Sequence, residues 1–247
     1  MLSDQIATTK LAFKVRRHRS RSLNEVVSRV EASVDSAAIA QLGLRVASVY
    51  REDPTSAAKY AKSHHWILLN TLRAADLGLH ATSGLRILDI GCGPCFFLAL
   101  ARGLGHQCFG VDAPDSVLSP VERDVYTTLI GALGCRDVVS PLLIERFKPL
   151  PFREQPFDLI TAFWICFNRH RQPDEWGREE WRFFVEDALA CLRPGGRIVL
   201  DLNENPERYG ELRFYDAATR DYFRSVGKVD QGRVIVARPG TLSTASI

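Results

Sequence analysis

The stretch Leu85-Arg86-Ile87-Leu88-Asp89-Ile90-Gly91-Cys92-Gly93-Pro94-Cys95 constrains the fold more than any other part of the chain. An apolar run of strand length ends in a carboxylate, and two glycines then turn the chain toward a helix. Glycine at such a turn lets a ligand approach the backbone closely. Twenty-one residues beyond Gly91, a second apolar run, Cys108-Phe109-Gly110-Val111, ends in Asp112. Two strand ends with a carboxylate at each mouth, the first with a glycine turn, form a nucleoside site of the Rossmann kind, in which an acid takes ribose hydroxyls.

A dinucleotide fingerprint needs a third glycine at position 96, and Phe96 stands there. Asp89 beside the loop also repels a pyrophosphate and attracts an ammonium group. S-adenosylmethionine carries an ammonium group and no phosphate. The segment resembles motif I of the class I S-adenosylmethionine-dependent methyltransferases, an acid followed by three glycines at alternate positions. Asp89, Gly91 and Gly93 match it, and Cys95 replaces the last glycine. The resemblance implies S-adenosyl-L-methionine as cofactor. It places Asp89, Gly91, Cys92, Gly93, Asp112, Ala113, Phe147, Ala162 and Phe163 around it. Phe147, with Arg146, stands where family members commonly carry an acid and a small residue at the adenine.

Two later segments carry the same resemblance. Leu150-Pro151-Phe152 with Pro156-Phe157-Asp158-Leu159-Ile160 is similar to the family's approach to its fourth strand. Leu192-Arg193-Pro194-Gly195-Gly196-Arg197-Ile198-Val199-Leu200 is similar to its turn into the fifth. From 85 onward strand and helix patterns alternate, the signature of a covered parallel sheet. Strands are expected at 86–90, 106–111, 138–144, 157–163, 197–201 and 233–237, with a short partner of the last starting near Val226. Helices are expected at 95–104, 117–133, 178–192 and 217–225. The expected fold is α/β: a Rossmann-like three-layer αβα sandwich with a mostly parallel seven-stranded sheet and an antiparallel last strand. Residues 1–80, with Leu23, Val26, Val27 and Val30, then Ile39, Leu42 and Leu44, then Trp66, Leu69 and Leu72 at helical spacing, read as an N-terminal helical extension. Residues 81–247 read as the cofactor-binding domain.

The 247 residues, 46% hydrophobic, suffice for a large core, and the net charge of +3 is small. The basic excess sits in an N-terminal arm, 10–21, with Lys10, Lys14, Arg16, Arg17, Arg19 and Arg21. No apolar run is long enough to span a membrane and no secretion signal is visible, so a cytoplasmic protein is expected. Six cysteines at 92, 95, 108, 135, 166 and 191 are scattered, as reduced thiols are. Cys92 and Cys95 form C-x-x-C, but without a second pair or nearby histidines no metal site is expected.

A sulfonium methyl is already activated, so the protein's task is to hold an acceptor about 3 Å away and, for a hydroxyl, to remove its proton. Groups for this belong at the carboxyl ends of the strands. After the fourth strand the chain reads Trp164-Ile165-Cys166-Phe167-Asn168-Arg169-His170, and after the fifth Asp201-Leu202-Asn203-Glu204. His170 is the expected catalytic base, because its unperturbed pKa lies nearest neutrality. Asn168, Trp164, Asp201 and Asn203 are the expected acceptor contacts. Cys166 follows Ile165 rather than proline, which argues against cytosine methylation. The expected function is methyl transfer to a small molecule, at an oxygen of a sugar or secondary metabolite. The alternatives are an RNA methyltransferase whose basic arm grips phosphates and a cofactor-binding protein without turnover. Residues 1–50 could also serve as a dimerisation element in a homodimer.

Overall fold

The computed structural model describes residues 21–53, 56–165, 176–202, 216–230 and 233–238. Seven strands are formed: β1 (Arg86–Ile90), β2 (Gln107–Asp112), β3 (Val139–Pro141), β4 (Phe157–Ile165), β5 (Leu192–Leu202), β6 (Lys228–Asp230) and β7 (Arg233–Ala237). Their order is β3-β2-β1-β4-β5-β7-β6. The pairs β2/β3, β1/β4 and β4/β5 are parallel, and β7 is antiparallel to both β5 and β6. The fold is α/β, a mostly parallel sheet with an antiparallel last strand, as the alternating pattern implies. Central strands are apolar on both faces: Ile87, Leu88, Ile90, Ile160, Ala162, Ile198, Val199 and Leu200 are all buried.

Two strands depart from expectation. β3 stops at Pro141, three residues short of the expected end, because proline has no N–H to extend a ladder. β5 begins at Leu192 rather than 197: the preceding helix ends at Ala190, and Leu192 pairs with Phe157 before the register shifts. Arg193-Pro194-Gly195-Gly196 is therefore a kink within the strand, with Gly195 at φ 81°. A side chain at 196 would meet the carbonyl oxygens of Arg193, Asp158 and Phe157 at 3.0–3.1 Å, so any larger residue there requires the backbone to give by a few tenths of an ångström.

The described residues belong to two compact units, 1–84 with 92–141, and 85–91 with 142–247. In the first, α1 (Arg21–Ser33) buries Leu23, Val26 and Val30, and Arg29 reaches the Gly103 carbonyl at the end of α4 (Phe96–Gly103). Helix α2 (Ser36–Glu52) is capped by Asp35, which accepts the Ala38 N–H at 2.9 Å. It buries Ile39, Leu42 and Val46, whereas Leu44 is 73% exposed, lying about 200° round the helix from Leu42. Helix α3 (Ser63–Asp76) buries a wide face from Trp66 to Ala75, with Leu69 and Leu72 half-buried. Helix α5 (Pro120–Ala132) starts later than expected because Ser119 and Glu122 form a capping box and Pro120 takes the first helical position. Residues 115–117 form a separate 3-10 turn.

In the second unit, α6 (Arg178–Ala190) carries Trp181, which packs edge-on against Trp176, Phe184 and Phe223 of α7 (Ala217–Val226). Trp176, Trp181 and Phe184 are therefore core residues. Asp187, 4% exposed, accepts the Leu150 N–H and an Arg153 guanidinium N–H, both at 2.6 Å. This buried carboxylate ties α6 to the Leu-Pro-Phe segment before β4. Asp158 likewise accepts the Arg86 N–H at 2.8 Å and pairs with Arg193 at 3.2 Å.

Candidate functional site

The loop between β1 and α4 alternates between ordinary and left-handed backbone. Gly91 has φ 69°, Gly93 φ 52° and Cys95 φ 68°. The three glycine positions of the motif are thus the positions where the chain needs positive φ, and Cys95 adopts it at a cost that glycine avoids. Cys95 is fully buried and forms the residue before the first turn of α4. Its N–H donates to the Cys92 carbonyl at 3.0 Å, closing a hydrogen-bonded turn over Cys92-Gly93-Pro94-Cys95. Positive φ at Gly93 followed by proline is the pattern of a type II′ turn.

The same loop is fastened to β2. The Cys92 N–H donates to the Val111 carbonyl at 3.1 Å. The Gly93 N–H donates to one Asp112 oxygen at 2.5 Å, and the Ala113 N–H to the other at 2.7 Å. Asp112 is half-buried. A carboxylate has about four acceptor positions, so these two donors do not exhaust it. Gly110 does the packing that a third fingerprint glycine would do: a side chain there would lie 2.5 Å from Leu98 Cδ1 of α4 and 2.9 Å from Cys92 Sγ.

In the other unit, Asp89 is 2% exposed, and the Thr161 hydroxyl donates to its Oδ1 at 2.7 Å. The two are directly paired across β1 and β4. A buried carboxylate requires such a donor, and the sequence did not single out Thr161 for that role. Ala162 is fully buried and Phe163 half-buried. Trp164 then breaks the ladder. Phe163 pairs with Asp201 and Ile165 with Leu202, so Trp164 is an extra residue on β4, at φ 53° and 44% exposed. A parallel β-bulge with a bulky left-handed residue is uncommon and characteristic of functional strand ends. Phe147 also has positive φ, 55°, and its exposed ring meets Phe183 edge-on at 5.8 Å. Cys95, Phe147 and Trp164 are the non-glycine residues with positive φ among the described residues.

Asp201 lies at the end of β5, where Arg233 of β7 grips both its oxygens, at 2.6 and 3.1 Å. Its charge is thus already matched by a guanidinium. Asn168, His170 and Asn203, together with Cys166, Glu204 and residues 10–20 of the basic arm, lie outside the described residues. Among the described residues no group of three or more His, Cys, Asp or Glu is arranged to hold a metal ion, and no helix is long and apolar enough to cross a membrane.

A mostly parallel sheet with an antiparallel last strand, and a glycine loop whose amide is held by the acid ending the second strand, make a Rossmann-like arrangement. Residues 88–200 match the family model described as "Methyltransferase domain". No curated protein matches the sequence. Among solved structures, the chain is similar to an O-methyltransferase family protein from Burkholderia thailandensis at 15% identity and a TM-score of 0.46, covering 79% of this chain and 63% of that one. It is also similar to a precorrin-6y C5,15-methyltransferase from Geobacter metallireducens, at 19% identity and a TM-score of 0.35, covering 52% and 60%. A third is the CcbJ methyltransferase from Streptomyces caelestis, at 23% identity and a TM-score of 0.38, covering 52% and 47%. The chain thus spans less than two thirds of the length of these three proteins.

Proposed function

We propose that the protein transfers the methyl group of S-adenosyl-L-methionine to an oxygen of a small-molecule acceptor, a sugar or secondary metabolite. The observation that carries this reading is the loop held on Asp112: a positive-φ glycine whose missing side chain faces open space, with nothing within 4 Å, beside a carboxylate ending β2. Those features suit a nucleoside whose ribose hydroxyls donate to an acid and whose body lies against bare backbone.

In this reading Gly91, Cys92 and Gly93 supply the backbone surface for the cofactor, and Asp112 with Ala113 takes the ribose. Asp89 supplies negative charge toward the amino acid end, and the Thr161 hydroxyl donates a hydrogen bond to it. Phe147, Ala162 and Phe163 complete the cofactor's surroundings. The cofactor, when bound, supplies an activated methyl, so the remaining work is positioning and proton removal. Trp164, held out of the ladder by its bulge, offers an exposed indole face to the acceptor. Asn168, Asn203 and Asp201 are the polar contacts proposed for the acceptor, and His170 takes the hydroxyl proton.

Transfer of labelled methyl from the cofactor into a fractionated metabolite extract tests this reading. Activity on a small-molecule fraction is expected, with kcat lost in His170→Ala and acceptor KM raised in Trp164→Ala. Labelling of RNA alone, or unchanged turnover in both variants, would contradict it.

A further inference from the structure

The C-x-x-C in the loop has no part in the cofactor chemistry and no metal-binding company among the described residues. Its two sulfurs are nevertheless in contact. Cys95 Sγ lies 3.7 Å from Cys92 Sγ and 3.5 Å from the Gly93 carbonyl oxygen, within the loop that holds both residues. The turn closed by the Cys95 N–H on the Cys92 carbonyl keeps the two Cα atoms within about 7 Å, the range a disulfide bridges. Proline at position 94 and the left-handed backbone at 93 and 95 fix that turn before any bond forms.

We infer that Cys92 and Cys95 are a redox modification site, closed to an intrachain disulfide by a hydroperoxide, and that the disulfide weakens the loop's hold on the cofactor. This rests on the proposed cofactor site for its second half only. Cys92, 9% exposed against 0% for Cys95, is the sulfur that meets the oxidant. Its sulfur attacks the O–O bond, giving a sulfenic acid and, with hydrogen peroxide, water. The Cys95 sulfur then attacks the sulfenic sulfur; the S–S bond forms and a second water leaves, so two thiols and one peroxide give one disulfide and two waters. Two of the other thiols compete poorly. Burial pushes the Cys135 thiol up to about 12 and the Cys191 thiol up to about 11, which keeps both protonated at neutral pH.

Closure must draw the sulfurs from 3.7 Å to about 2.05 Å. Cys92 Sγ is packed against Gly110 of β2, and Gly93 next to it is hydrogen-bonded to Asp112. The movement therefore acts on the two residues that fasten the loop to β2. By linkage, a ligand seated on the loop opposes closure to the same degree that closure opposes the ligand.

The test treats the full chain with hydrogen peroxide, with and without S-adenosylhomocysteine, and follows intact mass, peptide maps and calorimetric binding. A loss of two hydrogens mapping to the peptide with both residues is expected, reversed by dithiothreitol and absent in Cys92→Ser and Cys95→Ser. The oxidised protein should bind S-adenosylhomocysteine about tenfold more weakly, and bound ligand should slow oxidation. Oxidation confined to other cysteines, or Cys92 driven to sulfinic acid with no bridge, would overturn the site. A bridge that leaves affinity unchanged would overturn the linkage. If neither redox form binds S-adenosylhomocysteine while the bridge forms, the proposed function fails and the modification site stands.

Discussion

Gly93 and Asp112 are joined by a hydrogen bond from the glycine N–H to a carboxylate oxygen at 2.5 Å, across 19 residues of chain. The acid that ends β2 is therefore part of the loop's own structure, in addition to the ribose contact proposed for it. Asp112→Ala leaves the Gly93 and Ala113 amides without their acceptor and is expected to cost about 1–3 kcal/mol of stability. It should also abolish the thermal shift given by S-adenosylhomocysteine. Denaturant unfolding with and without that ligand separates the two effects.

Cys95 occupies a left-handed position at φ 68°, where a β-carbon costs about 1 kcal/mol. Cys95→Gly and Cys95→Ala both remove the thiol, but only the first relieves the backbone. The glycine variant is expected to be the more stable of the two by about 1 kcal/mol, read from chemical denaturation midpoints at equal m.

Much of the strand-and-loop geometry around Gly91 and Gly93 was legible in sequence, because it depends on local features: an apolar run, an acid at its end and glycines at alternate positions. The strand ends at Asp89 and Asp112 follow from that pattern. What was not legible depends on register. Trp164 is an extra residue only because Phe163 and Ile165 face consecutive residues of β5. Asp201 is matched by Arg233 only because β7 pairs antiparallel with β5 and places the two opposite each other. The Pro194-Gly195-Gly196 signal reads as a turn into the fifth strand, whereas Leu192 already pairs with Phe157, so the turn lies inside that strand. Thr161 could have been found by noting that a buried acid on β1 needs a donor from its parallel neighbour.

Gly110 supports the loop from below. Gly110→Ala places a methyl 2.5 Å from Leu98 Cδ1 and 2.9 Å from Cys92 Sγ, an overpacking expected to cost about 1–3 kcal/mol. Combining it with Leu98→Ala should recover part of that loss, giving a non-additive double-mutant cycle. Full additivity in thermal unfolding would mean that helix and strand do not meet there.

Asp216 caps α7 by accepting the Thr219 N–H at 2.7 Å, and this backbone hydrogen bond holds its carboxyl below the usual aspartate range. The folded-state value is the lower one, so the cap's contribution is complete above the unfolded value of about 3.9 and fades as pH falls toward the depressed value. Asp216→Ala is expected to cost about 1 kcal/mol at pH 7 and progressively less below pH of about 4. Unfolding measured from about pH 2 to about pH 7, roughly the span of that titration, checks both the size and the sign.

The proposed function requires the loop at Cys92 and Gly93, fastened to Asp112, to accept an adenosyl amino acid and not a pyrophosphate-linked nucleotide. Isothermal titration calorimetry of the full chain with S-adenosylhomocysteine and with NAD tests it most directly. Saturable binding of S-adenosylhomocysteine, lost in Gly91→Val, with no heat from NAD, is the predicted result. Binding of NAD with none of S-adenosylhomocysteine would contradict it.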